Sequence, residues 1–232
     1  MQYLESIIDS GLLNELKKSD YMDAFEQLKI SGRNYKSGET VFFEGDIIDK
    51  FCIVKKGSVR SEKTYLNGEV HIVDLFDEGS VFGLAFALSK SRITALDFVS
   101  NEESEIVFVS MHSIRKSRFS NEMNTALNYM MADSNIKMGH KIEILAERGL
   151  RERMMVYLHV LRTKSGSDTV TIRMSREQLA QYLCVNRSAL SNELSKMRRE
   201  GLIEFHRDRF TLLQAGARAV AEQGLGEGSE KI

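Results

Sequence analysis

Apolar residues recur along this chain first at helical spacing, then at strand spacing, then at helical spacing again. Leu4, Ile7 and Ile8, then Leu12, Leu13 and Leu16, then Met22, Phe25 and Leu28 form helical groups, broken at Gly11 and Ser19-Asp20. Short amphipathic helices are therefore predicted over residues 1 to 30. From Tyr35 the pattern changes to strands punctuated by glycine: YKSGETVFFEGD, FCIVKKGSVRSEKTY, LNGEVHIVDLFDEGSVFG and SEIVFVS. Asn67-Gly68 between two such runs is the strongest hairpin signal in the chain. Many short strands with turn residues about every 8 to 12 positions predict an antiparallel roll or barrel.

Helical spacing returns after the strands. Met111 to Ser117 predicts a short helix and residues 120 to 147 a long one, striped by Met123, Leu127, Met130, Ser134, Met138, Ile142 and Leu145. At 1.5 Å per residue that helix is about 42 Å long, more than a small roll can cover. A parallel pairing with the same helix of a second chain is the better expectation, against packing on its own domain alone. Ser134, Asn135 and Gly139-His140 interrupt the stripe. Arg148-Gly149-Leu150 reads as a hinge before the helical run Arg151 to Lys164, the loop Ser165 to Asp168 and a short strand Thr169 to Arg173.

The stretch from Ser175 to Leu213 reads as a winged helix-turn-helix. Ser175, three residues before Gln178, has the spacing of a capping box. Asn186 is a second cap candidate, after the Cys184-Val185 link, for a helix over roughly 187 to 200 whose Leu190, Leu194 and Met197 form one buried face. Away from that face point Arg187, Ser188, Ser191, Asn192 and Ser195, polar and mostly short so that backbone can approach base edges, while Lys196, Arg198 and Arg199 lie where phosphates would pass. Leu202 to Phe205 and Phe210 to Leu213 predict two strands around His206 to Arg209, the wing.

Charge supports nucleic-acid binding over a protein-binding reading of the same helices. Residues 150 to 214 carry 12 Lys+Arg against 7 Asp+Glu, residues 1 to 149 carry 18 against 23, and the remainder 2 against 3. A near-neutral total thus conceals a basic module beside an acidic one, as expected where one domain meets DNA. Hydrophobic residues at 42% and charged residues at 28% are ordinary for a globular chain, and 232 residues suit two modest domains. The longest apolar run, Val81 to Leu88, is too short to span a bilayer and no signal layout opens the chain, so a cytoplasmic protein without membrane contact is expected. Cys52 and Cys184 fall in different predicted domains, which argues against a structural disulfide.

Phe43-Glu44-Gly45-Asp46, Ile53-Val54-Lys55-Lys56-Gly57-Ser58-Val59 and Asp77-Glu78-Gly79-Ser80-Val81-Phe82-Gly83 resemble the successive glycine turns of the cyclic-nucleotide-binding roll in the Crp/Fnr superfamily of bacterial transcription regulators. With the winged helix in order downstream, the resemblance covers about residues 15 to 214. It implies an α+β fold: an effector-sensing antiparallel β-roll with N-terminal helices over 1–118, a dimerisation helix and hinge over 119–149, and a winged helix-turn-helix over 150–214; residues 215–232, rich in Ala, Gly and Glu with little to bury, read as a flexible tail. It also implies a homodimer formed through residues 120–147 on double-stranded DNA with an inverted-repeat operator. RNA polymerase is an expected partner.

Within that resemblance the base-reading positions fall on Arg187, Ser188 and Asn192, and Ser175, Arg176, Ser191, Lys196, Arg207 and Arg209 are phosphate candidates. Many relatives carry an acid where Ser188 stands and an arginine where Asn192 stands, so their operator is not transferable. In nucleotide-binding relatives an acid follows Phe-Gly and an arginine neutralises the cyclic phosphate. Here Leu84 follows Phe82-Gly83, and Thr94 occupies the arginine position, with Arg92 two residues early. Cyclic AMP binding in the usual manner is therefore not expected.

An effector pocket around Phe82, Gly83, Leu84, Arg92, Thr94, Met130 and Ser134 is expected to take an unidentified small molecule, apolar or anionic. The cofactor is unknown. Two cysteines cannot ligate an iron-sulfur cluster of the Fnr kind, whereas haem on His71, His112 or His140, or thiol sensing through Cys184, remains an alternative. A cupin-like metal enzyme would need two or three histidines inside the roll, and His71 alone lies between Tyr35 and Ser110. No catalytic constellation or metal site is expected, and the chain reads as a non-enzyme.

Overall fold

The computed structural model of the protein describes residues 2–213. They divide into two compact units, the first over Met1–Asn135 and the second from Ile136 onward. The expected tail, 215–232, lies outside the described residues.

The first unit opens with helix α1 (Leu4–Asp9), a 3₁₀ turn at Lys18–Asp20 and helix α2 (Tyr21–Glu26). Between them Leu12, Leu13 and Leu16 are buried in turns rather than in a helix, Gly11 having ended α1 with a positive φ. Eight strands follow: β1 (Ile30–Tyr35), β2 (Thr40–Phe42), β3 (Lys50–Lys56), β4 (Ser58–Thr64), β5 (Val70–Asp77), β6 (Val81–Phe82), β7 (Asp97–Ser100) and β8 (Ser104–Ser110). They form two antiparallel sheets, ordered β1-β8-β3-β6 and β2-β7-β4-β5.

Strand structure begins before Tyr35. Residues 31 to 34 are exposed and carry no apolar alternation, so only pairing with β8 makes β1 a strand. The short β7 is likewise defined by its pairing with β4. Phe51 to Val54 of β3 are all buried, because one face of their sheet looks into the roll and Ile7, Leu12, Leu13 and Leu16 cover the other.

Phenylalanines from both sheets meet in the roll interior. Phe82 packs on Phe98 with ring centroids 5.3 Å apart, Phe76 on Phe82 at 5.5 Å, and Phe42 edge-on to Phe98 and Phe108. Such pairs contribute about 0.5–1.5 kcal/mol each beyond area burial. Gly57 fixes the β3-β4 turn: its φ is +83°, and a Cβ there would come within 2.7 Å of the Glu103 carbonyl oxygen. Asn67-Gly68 occupies the five-residue turn between β4 and β5, closed by Gly68 N–H donating to the Tyr65 carbonyl.

Helix α3 (Leu84–Leu88) starts on Gly83, whose φ is +74°, and interrupts what looks in the sequence like a continuing strand. Then come α4 (Met111–Lys116) and the long α5 (Ser120–Ala146), which contributes residues 120–135 to the first unit and 136–146 to the second. Its apolar stripe divides. Met123 and Leu127 are fully buried in the first unit's own core, whereas Met138 and Ile142 are 40% and 65% exposed, as are Tyr129 and Ile136 beside the stripe at 60% and 57%.

The second unit continues with α6 (Leu150–Ser165), β9 (Thr169–Thr171), α7 (Arg176–Tyr182), α8 (Arg187–Arg199), β10 (Ile203–His206) and β11 (Arg209–Leu212). Its small antiparallel sheet is ordered β10-β11-β9. Gly149 caps α6 in extended backbone, and Arg153 braces the break by donating to the carbonyls of Glu147 and Leu183. Lys141 of α5 is buried, its ammonium donating to the Tyr182 carbonyl and lying over the Tyr182 ring.

Candidate nucleic-acid interface

Local sequence positions the reading head. Ser175 Oγ accepts from Gln178 N–H at 3.1 Å while Gln178 Oε1 accepts from Ser175 N–H at 2.9 Å, a complete capping box that starts α7. The link to α8 turns through Cys184, whose φ of +53° is uncommon for any residue with a Cβ. Asn186 then precedes α8 in extended backbone; its side chain makes no capping bond to the helix backbone, but its Oδ1 accepts from Ser188 Oγ at 3.4 Å.

Burial fixes the roll of α8 about its axis. Leu190, Leu194 and Met197 are fully buried. Arg187, Ser188, Ser191, Asn192, Ser195, Lys196 and Arg199 are exposed. Asn192, Ser195, Lys196, Arg198 and Arg199 line a cleft of about 740 Å³ closed by Glu204 and Phe205 of β10. Short hydroxyl and amide groups flanked by cations suit base edges between phosphates.

Ion pairs sort the cations. Arg151 ties α6 to α8 through Glu193 and Glu200, with Nε to Glu193 Oε1 at 2.7 Å and Nη1 to Glu200 Oε2 at 2.6 Å. The hydrogen bonds to Glu200, then Glu193, raise the Arg151 pKa, and the same guanidinium holds the Glu200 carboxyl below its ordinary value. Arg198 pairs with Glu204 of the wing at 3.0 Å. Arg187 has only a loose contact, 3.9 Å to Glu177, and Lys196 one of 3.7 Å to Glu193. Among the described residues Arg199, Arg207 and Arg209 form no ion pair, which leaves them available to phosphate.

Two of the phosphate candidates have structural employment. Arg176 is half-buried, its guanidinium 5.1 Å from the Phe205 ring centroid and 4.8 Å from that of Phe210, and Nη2 donates to the Arg207 carbonyl. Burial lowers its pKa from the usual arginine value. Ser175 Oγ serves the capping box. The wing itself is shorter than its sequence suggests: β10 and β11 extend through His206 and Arg209, leaving a two-residue turn, Arg207-Asp208, with Arg207 at φ +55°. That places the Arg207 and Arg209 side chains, both exposed, at the wing tip.

The seven expected effector-pocket residues are dispersed within the first unit. Phe82 and Leu84 are buried in its core, Gly83 caps α3, and Met130 packs near Gly11. Thr94 is buried with its hydroxyl donating to the Leu96 carbonyl and accepting from Leu96 N–H. Ser134 is exposed on α5. Arg92, at φ +55°, lines an outer cleft with Lys29, Lys50, His112 and Arg115. These four companions lie at strand ends and on α4, where no periodicity marks them in the sequence.

A capped helix, a tight turn, a helix with one polar face and a short wing define a winged-helix DNA reader, here following an antiparallel roll. Residues 32–121 match the family model of the cyclic nucleotide-binding domain and residues 152–217 that of the Crp-like helix-turn-helix domain. The global nitrogen regulator of Synechococcus elongatus is 25% identical over 197 residues, covering 80% of this chain and 87% of that protein. The nitrogen fixation regulation protein FixK of Bradyrhizobium diazoefficiens is 26% identical over 179 residues, 73% of each chain. Among solved structures, FixK2 from Bradyrhizobium japonicum shares the fold with a TM-score of 0.67 at 20% identity, covering 80% of this chain and 93% of that one. The chain belongs to the Crp/Fnr family of transcription regulators. Its α+β architecture is the family's. No helix among the described residues is long and apolar enough to cross a membrane.

Proposed function

We propose that this chain is a cytoplasmic, homodimeric transcription regulator, not an enzyme, that reads an inverted-repeat operator with α8 and is controlled by a small molecule sensed in its roll unit. The functional division is residues 1–118 for sensing, 119–149 for pairing and relay, and 150–214 for DNA. RNA polymerase is its further partner.

The exposed polar face of α8, set opposite three fully buried apolar residues, carries the reading. Arg187, Ser188 and Asn192 contact base edges. Ser191, Lys196, Arg207 and Arg209 hold phosphates, while Ser175 and Arg176 contribute by shaping α7 and the wing. Apolar Tyr129, Ile136, Met138 and Ile142 exposed on one long helix support a second copy as its cover. A dimer spaces two α8 helices about 34 Å apart, one duplex turn.

Fluorescence anisotropy with symmetric and scrambled oligonucleotides tests the operator, and sedimentation tests the dimer. Ile142→Asp is expected to give monomers and to abolish the preference for symmetric sites. A wild-type chain that sediments as a monomer at micromolar concentration and does not prefer symmetric DNA would refute the proposal.

A further inference from the structure

The outer cleft of the first unit has a volume of about 610 Å³ and is lined by Lys29, Lys50, Arg92, His112 and Arg115, with Asp49 as its one carboxylate. None of the four permanent cations forms an ion pair among the described residues. Converging like charges repel, and here they do so within a module whose net charge is negative. Met111, almost wholly buried, and Ile30 add an apolar floor.

The walls are held by backbone. Ser110 N–H donates to the Lys29 carbonyl at 3.1 Å, Met111 N–H to Asp49 at 3.2 Å, and Ile48 N–H to Arg92 at 2.7 Å. Arg92 N–H in turn donates to Ser89 Oγ at 3.0 Å. Four segments distant in sequence thus present their cations from fixed positions.

We infer that this cleft binds a phosphorylated small molecule carrying at least two negative charges. Its volume lies in the range of about 300–1,000 Å³ typical of small-molecule sites. Paired cations recognise phosphate oxygens, the apolar floor accepts the ligand body, and Asp49 offers an acceptor to a ligand hydroxyl. Concavity favours a small molecule over an acidic protein surface. The inference rests on reading the first unit as the sensor, and its site is distinct from the aromatic roll interior.

Calorimetric titration of the full-length protein with inorganic pyrophosphate at fixed salt tests it. One saturable site per chain is expected, weakened about tenfold or more in the Lys50→Gln/Arg115→Gln double variant. The Lys196→Gln/Arg199→Gln variant of the DNA face is expected to bind pyrophosphate as the wild type does. Circular dichroism and DNA affinity report whether the cleft variant is folded, and Arg92→Gln, at an exposed loop residue, replaces it if not. Pyrophosphate binding that is absent, insensitive to the cleft variants, or lost with the DNA-face variant overturns the inference. So does tighter, cleft-dependent binding of a deca-glutamate peptide, which would make the cleft a dock for acidic polypeptide. Operator recognition is measured separately, so failure here leaves that reading standing.

Discussion

The roll and the reading head contain the same kinds of charged residue but use them differently. In the roll, Lys55 pairs with Glu105 at 2.8 Å and Lys63 with Glu44, tying segments distant in sequence together over an aromatic core, while Arg60 pairs with Glu62 within β4. In the reading head, charges facing other protein elements are paired, Arg151 with Glu193 and Glu200, Arg162 with Asp168, Arg198 with Glu204. Those on the outer face of α8 and the wing tip are paired only loosely, Arg187 with Glu177 at 3.9 Å and Lys196 with Glu193 at 3.7 Å, or, as for Arg199, Arg207 and Arg209, form no ion pair among the described residues. Close pairing marks the cations that build the domain, and its absence leaves the others free to meet an external anion. The outer cleft of the roll unit follows the second pattern.

Core truncation tests the independence of the two regions with the largest expected effects. Phe98→Ala should cost the roll about 3–5 kcal/mol and Leu190→Ala should cost the reading head about 2–5 kcal/mol. Chemical denaturation followed by probes in each unit should show each variant shifting its own transition. Equal shifts of both would mean that the two cores unfold as one.

Within the reading head the loosely paired cations of α8 should separate by role. Arg187→Ala is expected to reduce discrimination between operator and scrambled DNA by about 1–3 kcal/mol. Lys196→Ala should instead weaken all DNA similarly and lower the salt slope of log K by about 0.9. Anisotropy titrations at several salt concentrations measure both, and equal loss of discrimination from the two variants would remove the role assignment.

The turn at Cys184 offers a smaller effect. Its left-handed backbone disfavours a Cβ by about 1–2 kcal/mol, so Cys184→Gly should stabilise the reading head by up to about 1 kcal/mol after the entropic cost of glycine in the unfolded chain. Thermal unfolding checks the direction. A loss of stability would mean that the half-buried side chain contributes more packing than strain.

The smallest effect concerns pH. His159 of α6 has a buried Nδ1 without a hydrogen-bond partner among the described residues, and burial first, then the Arg162 charge, lowers its pKa. The unfolded chain therefore takes up the proton first, so stability present at neutral pH is lost as pH falls through the ordinary histidine value of about 6.5. His159→Gln should flatten the decline in melting temperature of the reading head between pH 7.5 and 5.5, and an unchanged decline would exclude His159 as its source.

Much of the reading head was legible in sequence because its signals are local. Ser175 and Gln178 form the capping box that their spacing predicts, and Leu190, Leu194 and Met197 bury together as their period predicts. The roll was legible as a class through its glycine turns, less so in its elements. Ser31 to Asn34 have no strand pattern, and α3 follows β6 without a change in hydrophobicity. The exposed face of α8 was therefore readable from its sequence, whereas the packing of Arg176 on the wing aromatics needed coordinates.

Sequence alone determined what neighbours along the chain can settle: where helices begin, which helix face is apolar, where glycine turns the backbone, and the acidic and basic division of the chain. Tertiary structure decided what depends on residues far apart. It made β1 a strand by pairing it with β8, split the α5 stripe into a buried and an exposed part, and gathered Lys29, Lys50, Arg92 and Arg115 around one cleft. The physical reason is the range of the forces involved. Capping, periodicity and φ preference act within a few residues, whereas sheet pairing, burial and the convergence of charge depend on which distant segments the closed fold brings together.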